Sequence, residues 1–248
     1  MSELFLSRRQ AVAALSASAA FPLISACSKA VGGPATAAPP PPVAPAPATD
    51  ASAVLDSIAE NLLRLSPEGA TSLGIDKGEH AALRSQLGDR SVAGQQRIAQ
   101  TLRADLGRAN AIDTAALDHS TRTSVEVVRS AYATALEGFA LPYGDVAVGG
   151  WRNTPYVVIQ NVGAYLDVPR FLDSEHQINE AADAEAYLSR LQSYPRQLDG
   201  ELQRATDARA KGLVPPDFLL DKALGQLKQT VDGARKGGGL RDCPSPTC

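Results

Sequence analysis

Apolar positions recur at three- and four-residue intervals along most of the chain, the period that lays side chains on one face of a helix. Val54, Ile58, Leu62 and Leu65 form the first stripe, behind Asp50 or Ser52 as a helix cap, and Ser66-Pro67 ends it. Ser66 can itself cap a short helix through Thr71, with Pro67 in its first turn. Gly74, Gly78 and Gly88 punctuate the loop that follows. Ser91 opens another helix in which Ile98, Leu102, Leu106 and Ala109 share one face and Arg97, Arg103, Asp105 and Arg108 lie away from it. Asp113 is the expected cap of a long helix through about Glu137, turning Leu117, Val125, Val128, Tyr132 and Leu136 inward.

The helical period then lapses. From Leu141 to Val158, Pro142, Gly144, Gly149, Gly150 and Pro155 surround short apolar pieces, which fit a short hairpin or an irregular loop. The lone tryptophan, Trp151, is expected to anchor this loop on the helices, and with Arg152 it is a candidate cleft residue. Gln160 and Asn161 interrupt an apolar run and, if buried, are expected to cap a helix end. A helical turn starts at Val168-Pro169. From near Asn179 a long segment places Ala184, Leu188, Leu191, Leu198, Leu202 and Ala205 on one stripe, with Arg190, Arg196, Glu201 and Arg204 outside it. Pro195 kinks that helix or starts its second half, Gly212 ends it, and Pro215-Pro216 forces an extended corner. A last helix from about Asp217 carries Leu220, Leu224, Leu227 and Val231. The predicted fold class is mainly α: a multi-helix array with a small loop or hairpin insertion.

Composition agrees. Aromatic residues make up 5% of the 248 and alanine is plentiful, which favours helix over sheet. The length suits one large domain or two small ones. A formal charge of −3 supplies no basic surplus to neutralise phosphates, so nucleic acid is not an expected partner.

The front of the chain reads as an address. Residues 1–26 carry Arg8-Arg9, a weakly apolar Ala/Ser-rich core and Ile24-Ser25-Ala26 ahead of Cys27. A membrane-spanning helix needs ~20 strongly apolar residues, and this run is shorter and milder. The spacing resembles a bacterial lipoprotein signal, in which the lipobox cysteine is lipidated and becomes the first mature residue; Cys27 is the expected lipid attachment site. Ser7-Arg8-Arg9-Gln10 resembles the twin-arginine export motif, although Ala11 and Val12 stand where a bulky apolar pair is usual, and the general secretory route is the alternative. Residues 27–49, with PATAAPPPPVAPAPAT at their heart, form an extended Ala/Pro-rich tether. Residues 50–236 form the helical domain, and residues 237–248 read as a non-native or disordered tail.

Candidate chemistry is sparse. The three histidines, His80, His119 and His176, lie in different segments, and none begins an HExxH helix, whose value is that residues four apart share a face and present two zinc ligands. Asp118 and His119 point about 100° apart on a helix and do not form a catalytic pair by spacing. Cys243 and Cys248 would close only a small loop, and a zinc site there lacks two nearby ligands. No catalytic or metal residue is assigned.

The order SPEGATSLG, YVVIQNVGAYLDVPRFLDSEHQINEAADAEAYLSRL and KGLVPPDFLLDKALGQL resembles the N-terminal part of a bacterial family known as domain of unknown function 885, from about Ser52 to Gln229. The resemblance implies a mostly helical protein, longer than this chain and similar to zinc peptidases of the gluzincin type, with the zinc helix in a C-terminal half. It therefore implies zinc only in that half, and no site residue carries over to this chain. The expectation that follows is an exported, lipid-anchored N-terminal portion that is an incomplete domain and inactive alone. Its partners are the membrane through Cys27, the export machinery and the C-terminal half, which would cover the Leu220–Val231 stripe. The alternative is an autonomous envelope lipoprotein that binds a ligand or a partner.

Overall fold

Asp50 decides where the first helix begins: its Oδ1 accepts from the N–H groups of Ser52 and Ala53 at 3.0 and 3.2 Å, satisfying two donors that no carbonyl of the helix can reach. The computed structural model describes residues 50–148 and 154–236. In order they form α1 (Ala51–Leu65), α2 (Pro67–Ser72), a 3-10 helix (Gly78–Ser85), α3 (Val92–Asn110), α4 (His119–Ala140), α5 (Ala164–Ser174), α6 (Ala181–Ala210) and α7 (Asp217–Arg235). The mainly helical array expected from the apolar period is what the chain adopts. Arg8, Arg9, Cys27, the tether, Trp151, Arg152 and the tail with its two cysteines lie outside the described residues. Among the described residues no helix is long and apolar enough to cross a membrane.

Three apolar clusters hold the described array, one of them formed by Ala51, Ile112 and Val125. Ile58, Leu102, Ala109, Tyr132 and Ala135 join α1, α3 and α4, with Ile98, Leu106 and Val128 packed at the edge. Ala164, Val168, Phe171, Leu172 and Tyr187 join α5 to α6. Side chains such as Leu102 and Leu172, fully removed from water, each stabilise the fold by roughly 1.5–3 kcal/mol.

Several boundaries differ from the sequence expectation. The cap of α4 is Asp118, which accepts from Ser120 and Thr121, whereas Asp113 accepts from Ala115 in a preceding turn. Arg122 fixes that turn by donating to the carbonyls of Thr114 and Leu117, so the helix cannot extend back through them. The loop after α2 contains the 3-10 helix. Of the short hairpin or irregular loop expected after α4, the described residues form the irregular loop, with isolated bridges between Asp145 and Thr154 and between Ile159 and Val162. Helix α5 starts at Ala164, four residues before the expected turn, and Pro169 lies inside it. The apolar positions Ala164, Val168, Phe171 and Leu172 bury one continuous face, which outweighs the hydrogen bond Pro169 cannot donate. Helix α6 likewise runs through Pro195, with that residue on its exposed side.

The largest difference is the orientation of α6. Leu188 and Leu202, expected inside, are 55% and 66% exposed, while Arg190 and Glu201, expected outside, are 0% and 3% exposed. Asp105, on α3, is likewise buried and accepts from Asn61 and Arg108.

Candidate functional site

The buried face of α6 consists of Asp183, Tyr187, Arg190, Tyr194, Gln197, Glu201 and Arg204, spaced alternately four and three residues apart. This polar stripe faces the ends of short elements, where backbone groups have no partner within their own helix. Arg190 donates to the carbonyls of Gln86 (2.9 Å) and Leu83 (3.1 Å) at the C-terminal end of the 3-10 helix. Gln197 donates to Gly88 O at 2.6 Å and to Glu68, which itself accepts from Gly88 N–H. Glu201 accepts from Ala164 N–H, the first residue of α5, at 3.0 and 2.8 Å. Polar side chains are buried here because they cap helix ends that apolar ones would leave unsatisfied. Gly200 permits the close approach: a Cβ there would lie 2.8 Å from Ser91 N and 2.9 Å from its Cα.

At one end of the seam Arg190 also donates to Thr71 Oγ1 and to His176 Nδ1, each at 2.7 Å, and stacks 4.8 Å above the Phe171 ring. Thr71 passes the link to Asp76, and Arg84 bridges Asp76, Asp183 and the Gln177 carbonyl. Burial pushes Arg190 down to about 10, still well above neutrality. Because Arg190 donates to Nδ1 and the Asp183 carbonyl accepts at 3.0 Å from Nε2, the proton of neutral His176 sits on Nε2. Burial lowers the His176 pKa, and the guanidinium charges of Arg190 and Arg84 lower it further against the opposing pull of Asp183.

This arrangement gives a sign to acid sensitivity. Above the ordinary histidine value of 6.5 the ring is neutral in both states and the seam's full stability is present. As pH falls below that value, the unfolded chain takes up a proton that the folded ring resists, and stability drops until the folded pKa is passed. The melting temperature is expected to fall between pH 7 and pH 5, and His176→Gln, which can still accept from Arg190, is expected to flatten that fall. An unchanged slope in the variant would assign the acid sensitivity elsewhere.

At the other end Arg90 bonds Asp167 (3.2 Å) and Glu201 (2.8 Å), and Arg204 bonds Asp145 at 2.6 Å. Burial works against the charge of Arg90, but the Glu201 and Asp167 carboxylates outweigh it and raise its pKa. Burial also holds the Glu201 carboxyl above its ordinary range, partly offset by Arg90 and the Ala164 N–H.

Above this end opens a cleft of about 740 Å³, walled by apolar residues including Leu62, Leu65, Ile75, Ile98 and Phe171. The charged groups at its rim are engaged with one another: Arg90 with Asp167, Arg204 with Asp145, and Glu68 with Gly88 and Gln197. Asp89, also in the lining, pairs with Arg97, so the cleft offers apolar surface within a frame of charged groups that already have hydrogen-bond partners.

The histidines read from the sequence do not converge. His80 Nε2 lies 2.6 Å from Glu60, His119 is exposed at the first turn of α4, and His176 is sealed in the seam. Among the described residues no three His, Cys, Asp or Glu side chains come together as metal ligands. The described residues do not fit a zinc site. Gln160 and Asn161 do not cap α5; Glu201 does, and Gln160 Oε1 is buried with no partner among the described residues. The seam residues Arg190, Glu201 and Arg204 escaped the sequence reading, although their four-three spacing with Asp183 and Gln197 was a detectable signal.

Fold and site together define a mainly helical scaffold, closed by a polar seam and open at an apolar cleft. Residues 67–242 match the family described as "Bacterial protein of unknown function (DUF885)", and the chain belongs to that family. A solved structure from Colwellia psychrerythraea, of a protein provisionally described as a lipoprotein, has the same fold, with a TM-score of 0.67 at 17% identity over 77% of this chain and 32% of that one. The chain thus spans about a third of that relative's length. No curated protein is similar enough to the chain to count as a match.

Proposed function

We propose that the chain is the exported, lipid-anchored N-terminal helical portion of a zinc-metallopeptidase-like protein, in which it acts as a scaffold and is not catalytically competent alone. The observation that carries this reading is the contrast between seam and cleft: the described body engages its buried charges internally yet leaves an apolar wall open, as a surface made to be packed against does. The match to only 32% of the Colwellia structure supports a role within a longer architecture. Export and anchoring rest on Arg8-Arg9 and on Ile24-Ser25-Ala26-Cys27.

Metabolic labelling with a palmitate analogue tests the anchor: label is expected on the wild type and not on Cys27→Ala, and equal labelling of both would refute lipidation. The purified mature chain is expected neither to retain zinc through dialysis against a chelator nor to cleave a peptide library in a chelator-sensitive way. One tightly held zinc per molecule, or such cleavage, would overturn the scaffold reading.

The volume of the cleft favours a second reading, an autonomous envelope binding module, because about 740 Å³ lies within the range of small-ligand sites. Saturable one-site binding of an apolar fluorescent probe, abolished by Ile98→Trp without loss of fold, would favour it over the scaffold.

A further inference from the structure

The connection between α5 and α6, residues 175–180, is fastened to the seam through one buried side chain. His176 is 0% exposed, and each of its ring nitrogens already has a partner: Nδ1 accepts from Arg190 at 2.7 Å and Nε2 donates to the Asp183 carbonyl at 3.0 Å. A second ring proton would sit on Nδ1, where it meets a guanidinium N–H: two donors and two positive charges with no acceptor between them. The carboxylates nearby are turned to other groups. Asp183 on α6 accepts from Arg84 and from the Asn179 and Glu180 N–H groups, Asp76 accepts from Thr71 and Arg84, and Glu68 on α2 accepts from Gly88 and Gln197. Arg84 on the 3-10 helix adds a second positive charge, while Lys77, Arg170 and Asp173 are exposed. Protonation therefore sets His176 against Arg190, and one of them must give way.

Their anchorage decides which. Arg190 belongs to a 30-residue helix and also donates to Thr71, Leu83 and Gln86, so it keeps three acceptors when His176 goes. The connection is short, and apart from His176 its residues are exposed. It is otherwise tied by the His176 N–H to Phe171, by the Gln177 carbonyl to Arg84, by Glu175 to Ser72 and by the Asn179 N–H to Asp183, bonds that water can replace once the segment lifts. We propose that residues 175–179 are an acid-released latch: protonation of His176 frees them from the seam, up to the Glu180 cap of α6, while α6 and the core of α1, α3 and α4 stay folded. Release removes part of the lining of a polar pocket of about 430 Å³, which Ser174, Glu175, Gln177 and Asn179 share with Asp76 and Arg84. Asp76 is 1% exposed there and its Oδ1 has no hydrogen-bond partner among the described residues, so hydration of that oxygen favours the open state. The latch lies entirely within the described body and does not depend on the proposed scaffold role.

Amide hydrogen exchange of the full chain, corrected for the intrinsic effect of pH on exchange, reads the release residue by residue. The N–H groups of His176 and Asn179, held by Phe171 and Asp183, are the reporters, and those of α3 and α4 are the reference. Between pH 7.5 and pH 5 the reporters are expected to lose about thirtyfold in protection while the reference amides hold theirs. That is the ratio for a ring that takes up its proton at the ordinary value of 6.5 when released and resists it when latched. His176→Asn, which sets an amide oxygen where Nδ1 stands and cannot titrate, should abolish the loss; His176→Gln is the second such variant should the first not fold. His80→Gln should leave the loss unchanged. Three outcomes overturn the proposal: reporters whose protection does not respond to pH, an equal loss throughout α3 and α4, which is global unfolding, and an equal local loss in the His176 variants, which assigns the trigger to another group. Nuclear magnetic resonance of the wild-type ring decides if neither variant folds. His176 is expected to titrate below 6.5 and in step with the reporters, and a ring that takes its proton with both reporters still protected would also overturn the latch.

Discussion

Arg190→Met is expected to lower the free energy of unfolding by about 3–5 kcal/mol, read as a shift in the chemical denaturation midpoint. The arginine is fully buried and donates to the Gln86 and Leu83 carbonyls, Thr71 and His176. Methionine matches the side chain's reach over Phe171 but brings no donor, so the Gln86 carbonyl and an imidazole nitrogen lose the arginine donor where water does not reach, and the Leu83 carbonyl keeps only the Gln86 N–H. Against a total stability on the order of 5–15 kcal/mol, that is a large share. Arg190→Lys should recover only part of it, since one ammonium cannot span acceptors that a planar five-donor group reaches in fixed directions. Hydrogen exchange should show the loss concentrated in α2 and the 3-10 helix. A loss below about 1 kcal/mol would mean that these elements are held by their apolar contacts and not by the seam.

The second large effect is expected at Glu201. Glu201→Ala removes the acceptor of the first N–H of α5 and strands Arg90 with the more exposed Asp167, for an expected loss of about 2–4 kcal/mol. Glu201→Gln keeps an acceptor for Ala164 and loses only the charge, so it should cost about 1 kcal/mol. The two variants also separate by pH. Burial holds this carboxyl above 4.5, so the folded state takes its proton before the unfolded one and the group favours folding as pH falls through that window, opposite in sign to His176. Glu201→Gln should abolish that contribution. If alanine and glutamine were equally damaging, the ion pair rather than the helix cap would be what holds α5 in place.

The apolar period made the helices legible, and where Asp50 and Ser91 cap α1 and α3 it made their starts legible as well. It misplaced the interior of α6 because periodicity analysis assigns charge to solvent by default. That default fails where a long helix lies across the ends of short ones, since the facing surface is then backbone carbonyls and N–H groups rather than methyl groups. Arg190 and Glu201 were read as surface for this reason, while their true neighbours, Gln86, Leu83 and Ala164, are distant in sequence and give no local sign. The start of α4 failed on a smaller scale: Asp113 and Asp118 are equally good caps by residue type, and the choice rests on Arg122 reaching back to two carbonyls. The cleft was not legible, because its walls come from α1, α3 and α5 together.

The polar seam also sets the order in which the chain can fold. The apolar core of α1, α3 and α4 has its buried residues within 51–140 and needs no element beyond α4. By contrast Arg190 reaches Thr71 across 119 residues and Gln197 reaches Glu68 across 129. Until α6 has been synthesised, the Gln86 and Gly88 carbonyls that follow the 3-10 helix lack their Arg190 and Gln197 donors, and closing so large a loop delays the moment when those donors arrive. The segment between α1 and α3 is therefore among the last to become fixed, although it lies early in the chain, and during that interval it is the part of the chain open to proteases and chaperones.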